Sequence, residues 1–367
     1  MRLTEAELRL CKIPLVRPFQ TSLGRQVNKE VIIILLKSGS WVGYGECVAG
    51  SDPRYSYETV KTAWHVLEDF IIPRILDKEI ENPDRFFSLL GHIRGHQMAK
   101  ACAEMSFWDL FAKSRGVPLS KLIGGKSKTI KSGVSIGIQE DISTLLDIIE
   151  KHLKEGYPRI KIKIKPGWDL EVVGRVRAKF PHISLMVDAN GAYSLDDLLT
   201  FKKLDRYNLL MIEQPLSHED LVDHSLLQEE IRTPICLDES IKSHHHAEQA
   251  LDIKSCKIIN IKPGRVGGIH VSKKISELCR KRGVQVWCGG MLETGIGRAH
   301  NVHLASLPGF TLHNDISENK RYYQNDLTKT QFTLNPDGTI TVPQNPGIGV
   351  EVDESRLGEV TKKKVTY

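Results

Sequence analysis

The sequence lacks any long apolar run. Its longest aliphatic stretch, Val31 to Leu36, is far short of the roughly 20 residues that cross a bilayer as a helix, so no membrane partner is expected. No secretory leader is expected. The opening MRLTEAELRLCKIPL carries acidic residues and no apolar central region, so it is not expected to be a signal peptide. No CxxC pair occurs among the seven cysteines, which are scattered at positions 11, 47, 102, 236, 256, 279 and 288. An odd, unpaired set argues against a disulfide framework or a zinc site and for free thiols in a reducing compartment. A cytoplasmic location is the expectation. There is no block of one charge either. The net charge of +6 is modest for 367 residues, with lysine and arginine spread along the chain. No zinc-finger spacing or RNA-binding aromatic signature accompanies them, so no nucleic-acid partner is expected.

What is present is an ordinary globular composition, 40% hydrophobic and 26% charged. The length suffices for one large core and a smaller satellite domain. Residues 1–125 read as α+β. Strand-like runs at Glu5–Lys12 and Glu30–Lys37 are followed, across the Gly39-Ser40 turn, by Trp41–Cys47. Helical periodicity then covers Tyr57–Leu76, Asp84–Arg94 and Met98–Arg115. Gly124 to Ser127 marks a boundary.

A different rhythm follows. Short apolar runs recur at VSIGI (134–138), RIKIKIK (159–165), SLMVDAN (184–190), LLMIEQP (209–215), PICLDES (234–240), KIINIKP (257–263), VQVWCGG (284–290) and FTLHND (310–315). Helix-like segments such as Ile142–Lys154, Leu170–Lys179 and Val271–Arg282 separate them. Strands alternating with helices imply parallel βαβ units, and eight of them imply a closed (β/α)₈-type barrel. An open doubly wound sheet is the alternative, but no GxGxxG follows the first strand. The expected division is 1–125 as an α+β cap, 126–320 as the barrel, and 321–367 returning to the cap.

Catalytic residues of such barrels sit at the carboxyl ends of strands. Those ends hold Lys163, Asp188, Glu213, Asp238 and Lys262, spaced by 25, 25, 25 and 24 residues, one βα unit each. Met186 and Asn190 share the strand face of Asp188, Met211 that of Glu213, Cys236 and Ser240 that of Asp238, and Asn260 that of Lys262. The alternate positions Leu185, Val187, Ile212, Leu237, Ile259 and Ile261 are apolar, as a layer of surrounding helices requires. Three carboxylates from consecutive strands repel unless a cation joins them, and oxygen donors suit Mg²⁺ (or Mn²⁺) better than Zn²⁺. Lys163 and Lys262 lie four strands apart and should face one another across that cation. A lysine is too basic to serve as a base at neutral pH. Lys161, two residues before Lys163, is expected to lower its pKa by like-charge repulsion. A carboxylate substrate could then lose its α-proton. Lys165 has no place in this ring and should point to the rim or to solvent.

These residues carry a resemblance. KxK at Lys161–Lys163, DAN at Asp188–Asn190, EQP at Glu213–Pro215, DES at Asp238–Ser240 and KPGRVGG at Lys262–Gly268 resemble the enolase superfamily, in its muconate-lactonizing subgroup. The likeness spans nearly the whole chain and implies an α+β capping domain over a modified (β/α)₇β barrel. WCGGMLETGIGRAHN (287–301) looks most like the o-succinylbenzoate synthases that also racemise N-succinyl or N-acyl amino acids, and Arg265 matches an arginine of that branch. The resemblance implies Asp188, Glu213 and Asp238 as Mg²⁺ ligands and Lys163 as the base that abstracts the α-proton. Lys262 would stabilise the enolate, or act as the second base in racemisation. It further implies substrate contacts from Phe19, Tyr55, Ser135, Asn190, Arg265, Gly290, Met291 and Asp315. The implied reaction is the dehydration of 2-succinyl-6-hydroxy-2,4-cyclohexadiene-1-carboxylate in menaquinone biosynthesis, with N-succinylamino acid racemisation as the alternative. A small-molecule carboxylate is the expected partner, and a homo-oligomer the expected assembly. A dipeptide epimerase should carry Asp-x-Asp after the last strand, where His313-Asn314-Asp315 offers one aspartate. A dehydratase of the mandelate racemase type would have a His-Asp pair in place of Lys262. A non-catalytic relative should have lost a ligand or a lysine, and none is missing.

Three further features are set aside. His244-His245-His246 reads as a solvated helix start, Gly264 to Gly268 as a tight turn without the Lys-Ser/Thr of a nucleotide loop, and Trp41, Trp64 and Trp108 as packing residues.

Overall fold

The computed structural model describes residues 1–367. The first three strands, β1 (Glu5–Thr21), β2 (Gly24–Ser38) and β3 (Trp41–Cys47), form an antiparallel meander. β1 and β2 run well beyond the expected apolar stretches and make a long hairpin whose tip is the 19–24 segment. The meander's two faces bury different cores. Ile32, Ile34 and Leu36 pack on the cap helices, while Val31, Ile33 and Leu35 join the large core shared with the barrel. The main cap helix, Gln97–Ser114, lies close against β3 because Gly43 and Gly45 have no side chain. A Cβ at Gly45 would sit 2.0 Å from the Cys102 carbonyl oxygen. Trp64 and Trp108 are buried as expected, but Trp41 is 45% exposed. It opens β3 opposite Ser38, at the turn end of the hairpin, where no layer covers it.

β4 (Thr129–Lys131) precedes a seven-stranded parallel sheet in sequential order: β5 (Val134–Ile136), β6 (Arg159–Lys163), β7 (Ser184–Asp188), β8 (Ile212–Glu213), β9 (Ile235–Leu237), β10 (Ile258–Ile261) and β11 (Gln285–Cys288). Helices follow the strands, as in a (β/α)₇β barrel. The eighth expected strand, 310–315, is not a regular strand. It makes single parallel bridges to β11 (Val286 with Phe310) and to the segment before β5 (Ser132 with Asn314). Backbone bonds run from the Asn314 amide to the Lys131 carbonyl and from the Asp315 amide to the Cys288 carbonyl, and the Asn314 side chain adds to them, accepting from the Cys288 amide at 2.7 Å and donating to the Lys131 carbonyl at 2.9 Å. The strand alternation holds. Ile160, Ile162, Leu185, Val187, Ile212, Leu237, Ile259 and Ile261 face the helices, while Met186, Met211, Cys236, Ile258 and Trp287 form a separate apolar plug inside the barrel. β12 (Thr339–Thr341) pairs with β4, and β13 (Thr361–Thr366) returns to pair with β1 in the cap. No helix is long and apolar enough to cross a membrane.

Three buried glutamates of the cap each accept backbone N–H groups at the start of a helix, where unpaired donors and the helix dipole favour an anion. Glu46 takes the amides of Thr294 and Gly297 and the Thr294 hydroxyl, at the start of Gly295–Ala305. Glu104 takes the amides of Ile269 and His270, at the start of Ile269–Lys281. Glu58 takes those of Met98 and Ala99 within the cap. The first two fasten the cap to barrel helices.

Candidate active site

The strand ends bring the five ring residues together at the barrel mouth. Lys163 is the register partner of Asp188, and Asp188 of Glu213. Glu213 pairs with Cys236, so Asp238 stands two residues further along the same face of the next strand. All five are buried, from 0% to 7% exposed, so their charges must be answered locally. Lys163 Nζ donates to Asp188 at 2.5 Å and to Asn190 Oδ1 at 2.8 Å. At the far end Lys262 Nζ donates to Asp238 at 2.7 Å and to the Tyr55 hydroxyl at 2.9 Å. The two lysines therefore cap opposite ends of the row Asp188, Glu213, Asp238.

Lys161 lies beneath the row, within 2.8 Å of Glu213, 3.3 Å of Asp188 and 2.5 Å of Asp315. Its ammonium points at carboxylates, and the plug's Trp287 ring lies 4.9 Å below it. Burial lowers the Lys161 pKa, but Asp315, Glu213 and Asp188 outweigh it and hold the group above the ordinary lysine value. Lys262 is raised likewise, with Tyr55, Glu239 and Glu213 overcoming burial. Burial raises the Asp188 pKa, yet Lys163 and Lys161 bring it below the usual carboxylate range. Glu213 goes the other way, pushed up by burial and by the charge of Asp188. Asp315, despite burial, is held at about 2 by Arg159 and Lys161.

The expected substrate contacts divide into two groups. Ser135, Asn190, Gly290, Met291, Phe19, Tyr55 and Asp315 all line one cavity of about 370 Å³ together with Lys161, Lys163 and Lys262. Arg265 does not line it. Its guanidinium is spent on Asp238 and on the carbonyls of Ile241 and Asn260, so it braces an acid from behind. The cap supplies the cavity roof. Ile138 N–H donates to the Gln20 carbonyl at 2.9 Å, and Ser22 Oγ to the Ala189 carbonyl at 3.1 Å, which pins the β1–β2 tip onto the barrel. Lys165 is exposed, its amide bridged to Trp168.

Two residues escaped the sequence reading. Arg159, two residues before Lys161, is fully buried and pairs with Asp315 at 2.6 Å. The two-residue spacing that exposed Lys161 and Lys163 reaches it as well. Glu239, the middle residue of DES, is also buried. Its Oε1 accepts from Asn190 at 2.8 Å, and its Oε2 has no partner. No sequence periodicity marks it, because it turns inward only after β9 has ended. His244 to His246 open the helix His244–Asp252 behind the Ser243 cap, with His245 near Glu248 of the same helix, and form no metal-binding cluster.

No three His, Cys, Asp or Glu side chains are drawn tightly enough here to grip a metal ion as they stand, because each acid of the row is turned onto a lysine or arginine. The donor set nevertheless suits a hard divalent cation. It offers three buried carboxylates on adjacent strands, one of them pushed up by its neighbour's charge, beside an orphaned Glu239 oxygen.

Family models match both parts of the chain. The N-terminal domain of mandelate racemase / muconate lactonizing enzyme covers residues 5–124, and the enolase C-terminal domain-like model covers 145–356. The chain belongs to the enolase superfamily. Among superfamily relatives, the o-succinylbenzoate synthase of Geobacillus stearothermophilus is 49% identical over 356 residues, 97% of this chain and 95% of that one. The N-succinylamino acid racemase of Thermus thermophilus is 44% identical over 98% of each chain. A crystal structure of an enolase superfamily member from Listeria innocua superposes with a TM-score of 0.96 at 42% identity, covering 100% of this chain and 99% of the other.

Proposed function

We propose that the protein is a Mg²⁺-dependent o-succinylbenzoate synthase, with Asp188, Glu213 and Asp238 as the residues that hold the metal. When bound, the cation stabilises the negative charge that builds on a substrate carboxylate as the adjacent carbon loses its proton. The observation that carries the reading is the placement of Lys163 and Lys262. They rise from strands four apart, end in one cavity, and flank the same row of carboxylates. Were that row to hold a cation, Asp188 and Asp238 would no longer be free to pair with the two amines, which line the cavity.

In the proposed dehydration Lys163 Nζ takes the proton α to the carboxylate. It returns a proton to the departing hydroxyl, which leaves as water. The Lys262 ammonium, on the opposite side, stabilises the charge developing between the two events. Lys161 holds the carboxylates in place, and Arg265 fixes Asp238. The Tyr55 hydroxyl, bonded to Lys262, orients that amine toward the cavity.

Racemisation of N-succinylamino acids is the second reading, since opposed amines could remove and replace an α-proton from either face. The names of the Geobacillus and Thermus relatives support one reading each. The test is an assay of the purified protein with the synthase substrate and with N-succinylamino acids, before and after metal chelation and on Mg²⁺ return. Activity on both substrates, lost on chelation and restored by Mg²⁺, is expected. Equal turnover without metal would overturn the mechanism.

A further inference from the structure

The cavity's cap wall holds a lysine that the proposed chemistry does not use. Lys29 lies toward the hairpin end of β2 on the face of Val31, Ile33 and Leu35, so a charge interrupts an apolar stripe. It is 3% exposed and lines the cavity. Its Nζ donates to the Val48 carbonyl at 2.9 Å, and no carboxylate lies within ion-pair distance. The nearby acids are engaged elsewhere. Glu46 holds Thr294 and Gly297, and Glu293 accepts from the Met291 amide and from Asn301. The other cap cations at this cavity are either paired, Lys12 with Glu30 and Arg54 with Asp52, or exposed, as Arg25 is. Lys29 is thus the one buried cation of the cavity wall without a carboxylate partner, and it has N–H donors to spare. A buried ammonium left in that state is costly unless an anion arrives.

We propose that Lys29 binds the second carboxylate of a dicarboxylic substrate, the succinyl end, while the first carboxylate is held between Lys163 and Lys262. This rests on the function proposed above and adds to it the residue that selects succinyl over uncharged acyl groups. Burial and the Lys262 charge both pull the Lys29 pKa down, although Glu46 and Glu293 oppose them. An arriving carboxylate would strengthen the charged form.

The experiment compares N-succinyl-phenylalanine with its terminal monoamide, which keeps the shape and removes the charge. Steady-state racemisation is measured with Mg²⁺ present, and affinity for o-succinylbenzoate and its succinyl monoamide by calorimetry. The native protein should prefer the acid by roughly 10- to 100-fold in kcat/KM and in Kd, the range of a charge-assisted hydrogen bond. In Lys29→Met that preference should collapse toward unity, and in Lys29→Arg it should persist. Lys29 serving only as a counter-charge for Glu46 and Glu293 would lower turnover of acid and amide alike and leave their ratio as in the native protein, which overturns the proposal. Should Lys29→Met not fold, a Lys29→Arg variant with the native ratio supports it, and native protein that does not distinguish acid from amide refutes it. Native protein inactive on the synthase substrate and on both phenylalanine derivatives refutes the functional reading itself, a different outcome.

Discussion

Replacing Glu46 with glutamine should change how stability depends on pH. Glu46 is fully buried between β3 and the helix Gly295–Ala305, and burial, with Glu293 nearby, raises its pKa from 4.5 to about 7 despite its bonds to Thr294 and Gly297. A carboxyl whose folded pKa lies above its unfolded value binds more protons folded than unfolded between the two. Stability therefore falls as pH rises from about 4.5 to about 7, and stays lower above that. A rise from 4.5 to about 7 corresponds to about 3 kcal/mol at 1.36 kcal/mol per unit. Glutamine fills the same space without titrating, so Glu46→Gln should cost most near pH 4, below the unfolded value. The cost should shrink, or reverse, by about 3 kcal/mol near pH 8. Urea unfolding of native protein and variant at both pH values measures it, and the other buried acids and histidines cancel in the difference. A stability difference that stays constant across the two pH values would refute the reasoning.

Lys262→Ala should reduce racemisation by roughly 10²- to 10⁴-fold, the usual worth of a positioned acid or base; stereospecific turnover at the native rate would remove Lys262 from the chemistry. Lys165→Gln, on an exposed residue outside the cavity, should leave kcat within about 2-fold, since no charge-assisted bond is lost. A large fall would mean that the wrong lysine of RIKIKIK has been assigned. Gly45→Ala forces a Cβ to within 2.0 Å of the Cys102 carbonyl and 2.9 Å of the Ser106 amide. Neither is a flexible side-chain tip, so a loss of about 3 kcal/mol is expected from overpacking, read as a lowered Tm.

The barrel was legible because its signal is periodic twice over. Apolar positions alternate along each strand, and the 25-residue interval repeats the strand ends, so backbone geometry alone gathers Lys163, Asp188, Glu213, Asp238 and Lys262. What lay outside the repeat was harder to read. Glu239 turns inward only because the chain leaves β9 after Leu237. Arg265 was read as a substrate contact from its motif, yet Asp238 sits in its path. The 310–315 run was expected to add a full strand, but it pairs with each neighbour at a single bridge, reinforced by the Asn314 side chain. Lys161 was expected to act on Lys163 by repulsion; in the folded protein its nearest charges are three carboxylates. In each case the deciding partner is distant in sequence.

The pinned hairpin tip bears on how molecules enter and leave. Gln20 and Ser22 tie it to the segments after β5 and β7, and a Cβ at Gly137 would stand 2.6 Å from the Gln20 carbonyl. Lifting the tip would therefore break bonds on two sides. The 50–55 segment is held by the Gly50 carbonyl, which accepts from the Val60 amide, by the Arg54 bond to the Leu23 carbonyl and by the Tyr55 contacts with Lys262 and Asp238. Because the Tyr55 hydroxyl accepts from Lys262, displacing that segment would strip the amine of a partner, so one hydroxyl ties the cap to the lysine of the barrel mouth.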